Sequence, residues 1–290
     1  MSADAEDPRR HSVRPVAIRR VATASDRAPS ANDVVATEEP LGIRLGYSRP
    51  DGSRAEEDVS ITMRTPGHDE DLAVGFLFTE GIIHARSEVL GVVPRGQPDE
   101  NGLINSVRVD LAPGVKVDFK RLERHFYTSS SCGICGKASI DAVAVQGHFD
   151  LHNVALRIAA AALGRLPAAL AARQAVFAQT GGLHASALFD ESGTIVAVRE
   201  DVGRHNALDK LVGDALLHDR VPLTGHGIVV SGRASFELMQ KAKMAGCALV
   251  AAVGAPSSLA VEIAQQFGIT LVGFLKRDSF NVYSRPDRVS

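Results

Sequence analysis

Between Gly227 and Phe267 the chain runs twice through the same local grammar, and this repetition constrains its fold more than any other feature. Gly227–Val230 is a short apolar run, Ser231-Gly232-Arg233 is a tight turn, and Ala234 to Ala245 has helical spacing. Ala248–Val253, the turn Gly254–Ser258 and a second helical stretch ending at Phe267 repeat it. Two successive strand–turn–helix units predict parallel strands, and the fixed handedness of such crossovers puts both turns at the same end of the sheet. Final strands are expected at Thr270–Phe274 and Phe280–Tyr283. Upstream, His184–Phe189 and Thr194–Val198 flank Asp190-Glu191-Ser192-Gly193, a hairpin signal. Arg204 to Leu217 carries Ala207, Leu208, Leu211, Val212, Ala215 and Leu216 at helical spacing, with Asp209, Lys210 and Asp214 expected to face away from that buried stripe.

The part before residue 128 reads differently. Leu41–Tyr47, Val59–Met63 and Ile104–Leu111 alternate or are β-branched, with turn signals at Pro50-Asp51-Gly52 and Pro113-Gly114. One helix begins near His68, carries Asp69, Glu70 and Asp71 in its first turn and places Leu72, Phe76 and Ile83 on one face before Gly81 weakens it. The expected organisation is a mobile tail over 1–30, a β-rich domain over 31–127, a flexible thiol-bearing loop over 128–137 and an α/β domain over 138–290. The overall class is α+β.

With 45% hydrophobic and 23% charged residues, the composition is that of a globular protein. A formal net charge of −2 gives no general attraction to nucleic acid or to an anionic membrane. The polar, arginine-rich first twenty residues lack the apolar core of a signal peptide. Met244–Val261 is free of charge, but Gly246, Gly254 and Pro256 break it as a membrane span. A soluble protein in a reducing, cytoplasmic compartment is expected. Three cysteines cannot build a disulfide framework, and Cys132 and Cys135 are spaced as a metal half-site or a reactive pair.

These two thiols sit in Ser129-Ser130-Ser131-Cys132-Gly133-Ile134-Cys135-Gly136-Lys137, among small residues that leave the backbone accessible. Four readings stand side by side. A zinc site would need two further ligands, for which only His125 and His148 are near in sequence. A thioredoxin-like dithiol belongs at a strand-to-helix junction, whereas this pair follows a β region and a serine run. An interdomain linker with incidental cysteines is the bland reading. Sulfur relay, or another reaction of a nucleophilic thiolate, suits the exposed setting and the nearby Lys137, whose charge lowers a thiol pKa. Cysteine hydrolysis has His184, Asp201 and His205 as available partners but no local signature. The deaminase pattern fails, since Ser131 stands where proline belongs and no H-x-E precedes the pair. Cys247, in an apolar stretch, reads as a small buried hydrophobe.

No G-x-G-x-x-G or Walker A sequence is present. Ser231-Gly232-Arg233 and Pro256-Ser257-Ser258 each open a helix, where free N–H groups, hydroxyls and a guanidinium form phosphate perches or merely cap the helices. Gln179–His184 and Glu200–Asn206 concentrate polar residues at element ends, where ligand loops of α/β domains gather. Phe274-Leu275-Lys276-Arg277-Asp278-Ser279 sets two cations beside a carboxylate, suited to a phosphate and a purine edge, or to a solvated hairpin.

Taken in order, Ser131–Gly136, Thr180-Gly181-Gly182-Leu183-His184, Glu200-Asp201-Val202-Gly203-Arg204-His205-Asn206-Ala207, Ser231–Ser235, Ala255–Val261 and Leu271–Tyr283 resemble the formate dehydrogenase accessory sulfurtransferase family, FdhD. The resemblance covers about residue 35 to the end and leaves out the N-terminal tail and Cys247. It implies a cytoplasmic homodimer that accepts sulfur as a persulfide from a cysteine desulfurase and passes it to the molybdenum bis-molybdopterin guanine dinucleotide cofactor for formate dehydrogenase. It implies a larger domain similar to the cytidine deaminase fold, without its zinc chemistry. By motif, Cys132 matches the persulfide-bearing position and Cys135 its partner thiol. Phe274, Leu275, Lys276, Arg277, Asp278 and Ser279 match the stretch that binds the guanine dinucleotide, which guanine nucleotides mimic. The rival classes are a cofactor-binding chaperone without sulfur transfer and a C-x-x-C dithiol oxidoreductase.

Overall fold

The computed structural model describes residues 11–21, 30–117 and 149–290. Cys132, Cys135 and the rest of the 128–137 segment lie outside the described residues, as do His125 and His148. Val13–Arg19 (β1), within the stretch expected to be a tail, pairs antiparallel with Ser30–Ala36 (β2).

Three strands of the N-terminal part fall where alternation predicts them, as Glu39–Ser48 (β3), Arg54–Arg64 (β4) and Ser106–Leu111 (β6). Val89–Pro94 (β5) completes a four-stranded sheet in the order β4-β3-β6-β5, with β3 and β6 parallel. Asp69–Thr79 (α1) follows β4 and ends four residues short of Ile83, which is buried beyond it. In its first turn Asp69 takes both Nε and Nη2 of the fully buried Arg64, at 3.0 and 2.8 Å.

The C-terminal part forms a six-stranded sheet in the order β12-β11-β10-β9-β7-β8. Its strands are His184–Phe189 (β7), Ile195–Asp201 (β8), Gly227–Val230 (β9), Leu249–Ala252 (β10), Thr270–Gly273 (β11) and Asn281–Ser284 (β12). β9, β10 and β11 are parallel, as the repeated grammar requires, while β7, β8 and β12 close the sheet antiparallel to their neighbours. The described helices here are Ala160–Ala171 (α2), Ala175–Thr180 (α3), Arg204–Leu217 (α4), Phe236–Met244 (α5) and Ser258–Phe267 (α6).

Both faces of the central strands are covered, which is why they read as unbroken apolar runs rather than alternating ones. Ile228, Val230, Val250, Ala252 and Leu271 join an apolar cluster with α1, α4, α5, α6 and the inner face of the four-stranded sheet. Val229, Leu249, Ala251 and Val272 point the other way, onto Leu163, Leu166 and Leu170 of α2. The first cluster runs without interruption from Leu41 on β3 to Leu271 on β11, so the two sheets share one core.

The α1–α4 crossing lies inside that core, between the sheets. A Cβ at Gly213 would meet the Asp71 carbonyl carbon at 2.7 Å and the Gly75 nitrogen at 2.8 Å, and one at Gly75 would meet the Gly213 nitrogen at 2.9 Å. Two glycines therefore let the helix backbones touch. The extent of α4 matches the sequence expectation, but the exposure of its polar residues does not. Asp209, Lys210 and Asp214 are buried, because the helix is sandwiched on every side. Each is neutralised where it lies. Lys241 Nζ lies 2.9 Å from both Asp209 and Glu80 and donates to the Thr79 hydroxyl; Lys210 pairs with Asp201; Asp214 takes Arg199 and Arg220. Burial drives the Asp209 carboxyl up, against the pull of Lys241.

Candidate functional site at the strand ends

The topology brings the polar motifs of the C-terminal part to one rim. The parallel strands β9, β10 and β11 end there, antiparallel β7 starts there with His184, and β8 ends there with Asp201. Along the rim the order is Phe274–Ser279, Gly254–Ser257, Ser231–Arg233, His184 and Val202–His205. Ligands of open α/β sheets bind at this kind of rim.

The turns are joined to one another. Gly254 N donates to Gly232 O at 2.9 Å, Ser257 N to Ala234 O at 3.0 Å, and Phe274 N to Gly254 O at 3.0 Å. A Cβ at Gly254 would stand 2.9 Å from the Gly232 carbonyl oxygen and 3.0 Å from the Arg233 nitrogen, so only glycine permits this approach. Hydroxyls of the two turns named as phosphate perches have structural work. Ser257 Oγ accepts from Ala260 N at 3.2 Å and caps α6, and Ser231 Oγ accepts from Ala185 N at 2.9 Å.

The Phe274–Ser279 segment is split in character. Leu275 is buried in the cluster beneath the sheet, while Phe274, Lys276, Arg277, Asp278 and Ser279 face outward. Phe274 has φ of 52°, and Lys276 N donates to Ser279 O, closing a turn that presents Arg277 and Asp278 as an exposed pair 4.0 Å apart. Leu275 thus anchors a polar, aromatic-headed projection.

At the other end, the motif Glu200–Asn206 contains a positioning network that sequence reading missed. Fully buried Asp201 accepts from Thr65 N at 3.1 Å, Gly203 N at 2.8 Å and Asn206 Nδ2 at 3.2 Å, and pairs with Lys210 Nζ at 2.7 Å. These contacts tie the entry of α4 to the β4–α1 turn. Glu200 accepts from Val176 N and Phe177 N and so caps α3, and Gly181, with φ of 66°, ends α3 and turns the chain toward His184. A cavity of about 420 Å³ lies beside this network, lined in part by Thr65, His68, Arg199 and Lys210. The charged groups of Arg199 and Lys210 there already have carboxylate partners.

His184, Arg204, His205 and Arg233 gather where β7, β8 and β9 meet the rim. The His184 ring sits against Gly232, whose Cβ would be 3.2 Å from Nδ1. Burial holds the His184 imidazole below its ordinary value, and Arg204, His205 and Arg233 depress it further. His205 Nε2 lies 3.4 Å from Ser235 Oγ and 3.8 Å from Glu237, and holds the Glu237 carboxyl at about 2. Chemically, this rim can hold an anion at one end and a flat aromatic group at the other.

Comparison with known proteins identifies the family of the chain. The chain is 48% identical over 272 residues to the sulfur carrier protein FdhD of Mycobacterium tuberculosis, covering 92% of this chain and 95% of that one. It is 49% identical over 276 residues to the sulfur carrier protein FdhD of Streptomyces coelicolor, covering 94% and 95% respectively. A crystal structure of a Desulfotalea psychrophila protein, provisionally assigned as a formate dehydrogenase accessory protein, superposes with a TM-score of 0.68 at 22% identity. That match covers 96% of this chain and 98% of that one, and it shows the same mixed α/β fold. The family model for FdhD/NarQ matches residues 37–290, and the chain belongs to the FdhD/NarQ family.

Proposed function

We propose that this protein is a sulfur carrier in formate dehydrogenase maturation, with Cys132 as the atom-bearing thiol. The observation that carries the reading is the pair Cys132-Gly133-Ile134-Cys135 in a chain nearly half identical, over almost its whole length, to proteins named sulfur carrier FdhD. The donor is a cysteine desulfurase persulfide. The Cys132 thiolate attacks its outer sulfur; a new S–S bond forms at Cys132 as the old one breaks, and the desulfurase cysteine leaves as thiolate. No net oxidation occurs in that step. If Cys135 then attacks the inner sulfur, a Cys132–Cys135 disulfide forms and the outer sulfur leaves as sulfide, the two thiols supplying its two electrons.

The substrate that receives the sulfur is the molybdenum bis-molybdopterin guanine dinucleotide, and the client is formate dehydrogenase. In this reading Phe274 packs on the guanine, Asp278 accepts from its edge, and Lys276 and Arg277 answer its phosphate charge. The outward placement of these four side chains around buried Leu275 supports that role. A homodimer belongs to the same reading.

Complementation tests it. In a strain lacking its own accessory protein, the wild-type chain restores formate dehydrogenase activity and Cys132→Ala does not. Activity restored in full by the Cys132→Ala and Cys135→Ala variants would identify a cofactor-binding chaperone instead. Reduction of disulfide substrates without any desulfurase would identify a dithiol oxidoreductase.

A further inference from the structure

Glycine is the weakest helix former after proline, so a glycine inside a helix marks a place where a side chain has no room. The described helices hold three: Gly75 in α1, Gly164 in α2 and Gly213 in α4. Gly75 and Gly213 face each other at the α1–α4 crossing. Gly164, in the middle of the alanine- and leucine-rich α2, meets a loop instead. A Cβ there would stand 2.4 Å from the carbonyl oxygen of Arg277, 3.4 Å from its carbonyl carbon and 3.9 Å from its Cα. The obstacle is main chain, at the tip of the turn that Lys276 N closes by donating to Ser279 O. α2 therefore passes directly against the Phe274–Ser279 projection, and at Gly164 the two backbones touch.

The ties on either side decide which partner yields to a side chain at 164. Leu163, Leu166 and Leu170 sink α2 into the cluster beneath the sheet, together with Leu275. Phe274 N donates to Gly254 O and Leu275 N to Ala252 O, both at 3.0 Å, so the first two residues of the projection are fixed to the strand ends. Lys276–Ser279 has no such tie. Among the described residues its one backbone hydrogen bond is internal, and Arg277 pairs only with its neighbour Asp278. The turn is therefore the part that moves. Ordinary contact would take the Arg277 oxygen from 2.4 Å to 3.4 Å, a shift of about 1 Å. Lys276 and Arg277 end on long flexible stems that follow such a shift, whereas the short Asp278 side chain travels with its backbone.

We infer that Gly164 is a positioning residue for base selection: its missing side chain sets the height of the Lys276–Ser279 turn and so brings the Asp278 carboxylate to the edge of a guanine stacked on Phe274. The assignment deepens the proposed function and rests on its reading of Phe274 and Asp278. Gly164 itself touches no ligand in this scheme. Guanine presents two adjacent N–H donors on that edge, and a carboxylate accepts both only with its oxygens at about 2.7–2.9 Å from each. A displacement of about 1 Å breaks at least one of these bonds. Adenine has no such pair of donors, so the loss falls on guanine alone.

Calorimetric titration of the full chain with GDP and ADP tests this. Wild type is expected to bind GDP about tenfold or more tighter than ADP, the difference that hydrogen bonds to a charged group supply. Gly164→Ala is expected to weaken GDP about tenfold and to leave ADP within about twofold, so that selectivity is lost while the stack on Phe274 remains. Asp278→Asn should lower the same ratio, and the double variant should be no worse than Asp278→Asn alone, because Gly164 acts through Asp278. The melting temperature of Gly164→Ala should stay within about 2 °C of wild type, since alanine favours the helix and the strain falls on an exposed turn. A variant that fails to fold, or that is destabilised as far as Gly213→Ala, would place the strain in the core and overturn the inference. Additive losses in the double variant would do the same. An unchanged GDP to ADP ratio in Gly164→Ala beside a selective wild type would sink this inference and spare the base-binding reading. A wild-type chain that does not prefer GDP to ADP would sink both.

Discussion

Replacing Lys210 by methionine probes the network that positions the rim. Lys210 and Asp201 are 1% and 0% exposed, and their charged atoms lie 2.7 Å apart. Methionine keeps the apolar stem and removes the ammonium, so the Asp201 carboxylate stays buried with only the neutral donors of Thr65, Gly203 and Asn206. The Thr65 carbonyl, which takes Lys210 Nζ at 2.8 Å, loses that donor as well. Breaking a buried pair from one side costs about 3–5 kcal/mol, and three surviving donors to Asp201 place this case near the lower figure, about 3 kcal/mol. At about 2 °C per kcal/mol for a chain of this size, the melting temperature falls by about 6 °C. Thermal melting followed by circular dichroism reads this directly. Arg277→Met is the internal control, because its pair with Asp278 is 91% and 92% exposed and exposed pairs contribute little. A Lys210→Met variant melting within about 1 °C of wild type would refute the account of Asp201 as a charge that depends on Lys210.

Gly213→Ala puts a methyl group against the α1 backbone and is expected to destabilise by about 2–3 kcal/mol, read as a lowered urea midpoint; an unchanged midpoint would deny the backbone contact at the crossing. Glu237 is depressed to about 2 by His205, so its contribution to stability is fully present above its ordinary value of 4.5 and is lost as pH falls toward 2. Melting temperatures of wild type and Glu237→Gln should therefore differ at neutral pH and converge in acid; a constant gap would contradict the pairing. Cys247 is 0% exposed and burial pushes its thiol up to about 12, so iodoacetamide at neutral pH should leave it unlabelled until denaturant is added, and native labelling would contradict its place in the core.

What could be read without coordinates follows from how local each signal is. The strand–turn–helix units around Ser231 and Gly254 were legible because apolar runs, tight-turn residues and helical spacing are neighbours in sequence, and handedness then set both turns on one rim. The limits of α4 were legible for the same reason. The burial of Asp209, Lys210 and Asp214 was not, because helical periodicity assumes a solvent face and α4 has none once α1 and the two sheets enclose it. Their partners Lys241, Asp201 and Arg199 lie on other elements, and no spacing rule names them. At the site, Phe274–Ser279 read as one polar stretch, whereas the structure sinks Leu275 and projects its neighbours. The arrival of the Glu200–Asn206 and Ser231–Arg233 motifs on one rim depends on β7 running antiparallel to both β8 and β9, which only the sheet order reveals.

The most direct measurement is mass spectrometry of the peptide bearing Cys132 and Cys135 after incubation of the chain with a cysteine desulfurase and cysteine. The account predicts a gain of one sulfur atom on Cys132, removed by reductant and missing from Cys132→Ala. A Cys132 that stays an unmodified thiol while the desulfurase carries its own persulfide would contradict it.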